Sequence, residues 1–191
     1  MLRIAVDVDE VLTPLLPTMM NWRKPKIPVP PKYPYIYRSI YDISEEQSAR
    51  MVREFYDSEE FANLPVMPGS LECLTNLKKM TRLYVMTGRQ NVVRTKTEDW
   101  VNKNFPGIFT DVILTNSFTK NEVSKAELCK ILNIGLLIDD NLPACYDCKD
   151  LKIGALNFIG DPVYPWCYKN PFSIKTWKEV NDTLIGNPRL F

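Results

Sequence analysis

The first apolar run of the chain, Arg3 to Leu12, carries two carboxylates two residues apart, Asp7 and Asp9. The run has the length of a strand buried on both faces, and a buried aspartate is costly unless it is paired, hydrogen-bonded or bound to a metal. A chain that stays extended through Asp7 and turns at Asp9 aims both carboxylates at one site beyond the carboxyl end of the strand, where open α/β sheets place their ligands. Other strand ends bring further groups to the same edge: Thr87-Gly88-Arg89 and Asp139-Asp140-Asn141, with Lys125 opening the helix that feeds the strand before Asp139. Lys120 is a second candidate for the lysine of this site. Each group also has a structural use as a turn, a cap or a first-turn charge, but together they compose one site.

Phosphoryl transfer is the chemistry such a set supports. A carboxylate at Asp7 can attack phosphorus, but a phosphate dianion repels it, so a divalent cation must stand between them. Magnesium suits an all-oxygen set in which Asp7, the backbone carbonyl of Asp9 and Asp139 supply the protein's share. The Thr87 hydroxyl, the N–H groups of Gly88 and Arg89 and the Lys125 ammonium can hold the remaining phosphate oxygens as charge spreads over them. Asp9 can protonate the leaving oxygen and later take a proton from the attacking water. The chain contains no histidine, which excludes Ser-His-Asp and Cys-His catalysis and histidine-ligated metals.

Alternating elements must position these groups. Strands are expected at Leu83 to Met86, Val112 to Leu114, Leu136 to Ile138 and Ile153 to Ile159. Helices are expected at Ser70 to Met80, Gln90 to Phe105, Ser124 to Leu132, Leu142 to Lys149 and Ser173 to Leu184. Such alternation implies an α/β fold, a Rossmann-like parallel sheet with helices on both faces. Residues 13–68 differ in character. Prolines at 14, 17, 25, 28, 30, 31 and 34 interrupt any long regular element, and aromatic and basic residues are interleaved among them. A helix then opens at a Ser44/Gln47 capping box, with Ala49, Val52 and Tyr56 at helical spacing and Met51 and Phe55 beside them. The expected division is a core domain of residues 1–12 and 69–191 and a small, mostly helical cap subdomain of residues 13–68.

The 191 residues can form a core and a modest subdomain, and a net charge of +1 gives no reason to expect nucleic-acid or membrane partners. No apolar stretch has the length of a membrane span and the start lacks a signal-peptide pattern, so the chain reads as cytoplasmic. Five cysteines, an odd number, fit a reducing compartment; Cys145 and Cys148 form a lone C-x-x-C without a second pair for zinc. Oligomeric state stays open, a dimer included.

In their order, Asp7-x-Asp9-x-Val11, Thr87-Gly88-Arg89, Lys125 and Asp139-Asp140 resemble the four motifs of the haloacid dehalogenase (HAD) superfamily of phosphatases, over nearly the whole chain. The resemblance implies Asp7 as nucleophile, Asp9 as acid/base, Thr87 and Lys125 as phosphate-binding residues, and Asp139 and Asp140 as magnesium ligands. The cap falls between the first and second motifs, because 80 residues separate Asp7 from Thr87 and only 38 separate Thr87 from Lys125. The tail from Phe158 to Trp166, then Lys175 to Val180, and the segment Leu137 to Asn141 are similar to those of 5'(3')-deoxyribonucleotidases. That group commonly has Gly where this chain has Glu10, and many members lack Gly-Arg after the motif threonine.

The nucleotidase resemblance implies a small phosphomonoester as partner, a nucleoside monophosphate in particular. In the cap, Trp22, Tyr33, Tyr35, Tyr37 and Tyr41 can offer a face for a nucleobase, with Arg23, Lys24 or Arg38 near a ribose or phosphate. The same aromatics can equally form the cap's own core. Alternatives are a phosphatase for another small phosphorylated metabolite, a non-catalytic phosphate binder, and a receiver-like domain. A receiver has its acidic pair first and none after the lysine, which is not the order found here.

Overall fold

The structure, a computed structural model, describes residues 1–23 and 31–186. Among the described residues six strands form: β1 (Leu2–Val6), β2 (Thr81–Thr87), β3 (Val112–Leu114), β4 (Leu136–Asp139), β5 (Gly154–Phe158) and β6 (Ser173–Ile174). They pair in parallel in the order β3-β2-β1-β4-β5-β6. The chain runs outward from β1 through β2 to β3 and then crosses to β4, so the two directions part between β1 and β4, the point at whose carboxyl ends parallel α/β sheets place their ligands. Val6 lies beside Val85 on one side and Ile138 on the other. Asp7 and Asp139, each one residue further on, therefore leave the sheet as neighbours.

Alternation along the strands sorts side chains onto two faces. Ile4, Val6, Leu83, Val85, Ile138 and Phe158 face one apolar cluster with α5 (Ser70–Lys78), α6 (Arg94–Asn104) and α9 (Trp177–Ile185). Ala5, Met86, Leu137 and Ala155 face a second one with α7 (Lys125–Ile131) and α8 (Leu142–Asp150). Full burial of each large apolar side chain contributes roughly 1.5–3 kcal/mol. Trp177, fully buried, also donates its indole N–H to the Val11 carbonyl at 2.8 Å, which ties the last helix to the loop after β1.

Between β1 and β2 the chain forms α1 (Leu15–Trp22), α2 (Tyr37–Tyr41), α3 (Glu45–Tyr56) and the single turn α4 (Glu59–Ala62). The prolines do not prevent α1, because Pro14 is its N-cap residue and Pro17 sits in its first turn, where N–H groups have no intrahelical partner. The Ser44/Gln47 capping box opens α3 as expected. Its buried stripe is Met51 and Phe55, whereas Ala49 is exposed and Val52 and Tyr56 are half-buried. The helices of this insert share the first apolar cluster through Leu15, Met19, Met51, Phe55 and Phe61.

Two boundaries differ from expectation. Residues 91–93 form a 3₁₀ turn before α6, and Ser173–Ile174 form the edge strand β6 rather than the start of the last helix, which Thr176 caps through the Glu179 N–H. All five cysteines are buried free thiols. Among the described residues no helix is long and apolar enough to cross a membrane.

Candidate active site

The extended backbone of β1 continues one residue past its last pair: the Asp7 N–H donates to the Ile138 carbonyl at 3.0 Å. The chain then folds back, with the Leu12 and Thr13 N–H groups both donating to the Val8 carbonyl, at 2.8 and 3.1 Å. This turn needs a left-handed residue, and Glu10 fills that position at φ +63°. At the end of β4 stand Asp139 and Asp140. The carboxylates of Asp7, Asp139 and Asp140 each place an oxygen within 4.8 Å of the others, and all three residues are buried. Lys125 Nζ lies 3.0 Å from Asp7 Oδ2 and 2.6 Å from Asp139 Oδ2. Of the two candidate lysines, Lys125 stands at the carboxylates and Lys120 is exposed. Ser124, whose hydroxyl caps α7 at the Glu127 N–H, and the bond from Val123 N–H to the Thr115 carbonyl fix where that helix begins.

Charge at this site does not balance. Three carboxylates share one ammonium, and burial pushes the Asp7 carboxyl up to about 7, against the pull of Lys125 and with the charge of Asp139 adding to it. Burial likewise raises Asp140 well above the usual carboxylate range, with Asp139 and Asp7 adding to it. Burial disfavours the Lys125 cation, but Asp139 and Asp7 more than offset this and raise its pKa. A surplus of hard oxygen donors around one point is the donor set that fits magnesium.

Residues absent from the expected set hold this trio in place. Asn157 Nδ2 donates to the carbonyls of both Asp139 (3.1 Å) and Asp140 (3.0 Å), and Asn170 in turn donates to Asn157 Oδ1 at 2.9 Å. Trp166 Nε1 donates to Asp140 Oδ2 at 2.9 Å. The Tyr164 hydroxyl donates to the Glu10 carbonyl at 2.7 Å, and its ring stacks on Trp166 at 4.9 Å. One signal was present for Asn157: an amide in the middle of an apolar strand must find partners. For Trp166 and Tyr164, position in the sequence carries no comparable sign.

Asp9 lies outside the trio. Its carboxylate takes a forked contact from Arg89, with Nη2 at 2.7 Å and Nε at 3.1 and 3.2 Å. Arg89 is itself buried, donates from Nη1 to Thr97 Oγ1 at 3.2 Å, and packs its guanidinium 4.8 Å from the Phe61 ring centre. Arg89, expected toward phosphate, thus has its guanidinium on Asp9. Thr87, fully buried, accepts the Arg89 N–H at 3.3 Å. Gly88 runs close to a neighbouring side chain: a Cβ there would stand 3.1 Å from Ser117 Oγ.

The six residues expected at the substrate separate. Tyr33 and Tyr35 lie against Trp166, with ring centres 6.0 and 4.8 Å away, and so adjoin the acidic trio. Trp22 packs on Phe55 at 5.2 Å. Tyr41 is buried under the Arg23 guanidinium, and Arg38 pairs with Glu45 at the surface. Tyr37 is the first residue of α2, and Lys24 lies outside the described residues.

No protein-family model and no curated protein matches the chain. Solved structures do. A HAD-superfamily hydrolase of subfamily IA from Geobacter sulfurreducens superposes with a TM-score of 0.64 at 15% identity, covering 96% of each chain. A predicted phosphoglycolate phosphatase from Haemophilus somnus gives a TM-score of 0.65 at 15% identity, over 96% of this chain and 97% of that one. A magnesium-bound protein from Bacillus subtilis described as a HAD-hydrolase gives 0.62 at 13% identity, over 96% and 98%. The parallel sheet flanked by helices is thus the Rossmann-like fold seen in HAD-type hydrolases and phosphatases.

Proposed function

We propose that the chain is a magnesium-dependent phosphomonoesterase that works through an aspartyl-phosphate on Asp7, with nucleoside monophosphates as its substrates. The reading rests on one observation: Lys125 reaches Asp7 and Asp139 together, with Asp140 alongside, at the carboxyl ends of β1 and β4. Asp7, Asp139 and Asp140, with the backbone carbonyl of Asp9, would hold the magnesium. When bound, it supplies positive charge between these carboxylates and a phosphate dianion.

Asp7 is the nucleophile, and Lys125 both lowers the cost of its ionised form and neutralises charge on the transferring phosphoryl group. The Thr87 hydroxyl and the N–H groups of Gly88 and Arg89 take other phosphate oxygens. Asp9 protonates the leaving oxygen, then accepts a proton from the water that hydrolyses the intermediate. The Arg89 guanidinium serves as a positioning group, because its fork fixes the direction of the Asp9 carboxylate. For the leaving group, Tyr33 and Tyr35 beside Trp166 offer aromatic faces near the trio, and the likeness of the tail to that of deoxyribonucleotidases supports a nucleobase there. Residues 13–68, as the cap, choose the substrate, since the strand ends grip only phosphate.

A phosphate-release panel of nucleoside monophosphates and sugar phosphates with magnesium tests this. Activity on nucleotides is expected, falling on the order of 10⁴-fold in Asp7→Asn and roughly 10²–10⁴-fold in Asp9→Asn. Turnover confined to sugar phosphates removes the nucleotide assignment and keeps the mechanism; equal rates in all three proteins remove the mechanism.

A further inference from the structure

The insert contains a cavity of about 370 Å³ lined by Trp22, Arg23, Gln47, Arg50, Met51 and Glu54. All six residues come from the end of α1 and from α3, and none from the strand ends. The α3 residues recur at steps of three and four, which makes one wall a single helix stripe. A volume in this range is that of small-molecule pockets, which run about 300–1,000 Å³.

Its polar groups are poorly matched by protein partners. The Arg23 guanidinium lies 4.5 Å over the Tyr41 ring, and its Nη1 is buried and, among the described residues, has no hydrogen-bond partner. Arg50 is exposed and, among the described residues, forms no ion pair, unlike Arg38, Arg89 and Arg94. Gln47 Oε1 accepts the Ser44 N–H, which leaves its amide N–H₂ as the group to offer. Two guanidiniums and an amide donor thus line the pocket together with one carboxylate, Glu54. A buried donor left unpaired, here Arg23 Nη1, carries a desolvation cost that a ligand can relieve. Trp22 and Met51 supply a flat apolar wall beside them.

We propose that this pocket binds a planar, anionic small molecule bearing a hydrogen-bond donor, at a site apart from the acidic trio. The anion meets Arg23, Arg50 and the Gln47 amide; the flat body lies against Trp22 and Met51; the donor meets Glu54. The pocket shares no residue with the acidic trio or with Lys125. Binding here needs neither Asp7 nor magnesium.

The test uses 4-aminophenylphosphonate, planar, anionic and carrying an amine, with a C–P bond that resists hydrolysis. Its binding to the full chain is measured by calorimetry and tryptophan fluorescence, without added metal. One site is expected in the wild type, retained in Asp7→Asn, and weakened on the order of tenfold or more in Arg23→Gln and in Arg50→Gln, where a charge-assisted contact is lost. Phenylphosphonate, lacking the amine, is expected to bind more weakly, and Glu54→Gln to narrow that difference. Because Arg50 is exposed, its variant should keep the wild-type circular dichroism and melting point. Binding that appears only with magnesium, disappears in Asp7→Asn, ignores Arg50→Gln, or is absent at millimolar probe overturns the proposal. The phosphatase reading stands or falls separately, on the turnover panel.

Discussion

Arg89, buried, and Lys125, whose side chain keeps 11% exposure, are cations at the same rim, yet their surroundings differ in kind. Arg89 meets one carboxylate in a forked contact, finds Thr97 for another N–H, and lays its face on Phe61. That pair is balanced in charge. Lys125 stands among three carboxylates and can neutralise only part of them. A balanced buried pair holds a direction, whereas an unbalanced cluster holds an affinity for further positive charge. The difference separates two nearby aspartates: Asp7 belongs to the unbalanced cluster with Lys125, and Asp9 to the balanced pair with Arg89.

Removing each cation should separate the two halves. Lys125→Met leaves three buried carboxylates without a counter-ion, and breaking a buried pair in this way costs about 3–5 kcal/mol. Urea unfolding without metal should show that loss, and millimolar magnesium should recover part of it, because a ligand bound only to the folded state stabilises it. Arg89→Met strands only Asp9, whose side chain keeps 18% exposure to water, so a smaller loss of about 1–3 kcal/mol is expected, with no recovery by magnesium. The same variant should lower kcat more than it raises KM, and Arg89→Lys should not restore it, since lysine lacks the fork. Asn157→Ala removes donors from the carbonyls of Asp139 and Asp140; a magnesium affinity lower by about 10–100-fold is expected from a magnesium titration of stability.

The smallest expected effect concerns Glu10. Burial pushes its carboxyl up to about 8, with the Leu16 N–H opposing and the charges of Asp9 and Asp7 adding. Its Oε1 accepts the Leu16 N–H at 2.5 Å, while its Oε2 is buried and, among the described residues, has no partner. A carboxyl raised on folding favours the folded state below its unfolded pKa, and that advantage is lost as pH climbs through the folded value. Melting temperature in the absence of metal should therefore fall between about pH 4.5 and 8. Glu10→Gln should match the wild type near pH 4.5 and melt a few degrees higher at pH 8.5, roughly 2–4 °C per kcal/mol for a chain of this size.

The parts of this architecture legible in the sequence are those governed by local pattern. Apolar runs of three to seven residues between helical periodicities place β1 to β5, and the carboxylates and threonine that end them mark the site. Helical spacing over Ser173 to Leu184 hides the strand at Ser173–Ile174, because two paired residues leave no periodic trace, and what makes them a strand is Asn157 and Phe158 across the gap. Glu10 gives no local hint of its left-handed backbone, since glycine or asparagine is the usual sign of one. Aromatic content from Trp22 to Tyr41 fits a substrate face and a core of the cap equally, and only the fold divides them, placing Trp22 on Phe55 and Tyr33 and Tyr35 beside Trp166. Partners such as Trp166 and Asp140, 26 residues apart, are set by the path of the chain around the sheet edge.

The sheet order also dictates a schedule during synthesis. β1 leaves the ribosome first, yet its second neighbour, β4, arrives only with residues 136–139. Until then, one flank of the central strand has no backbone partner, and an open strand edge of that kind is a template for wrong pairing between chains. A translational pause before residue 136 is thus a point of exposure to aggregation, and a chaperone acting on this protein would have the most to shield there.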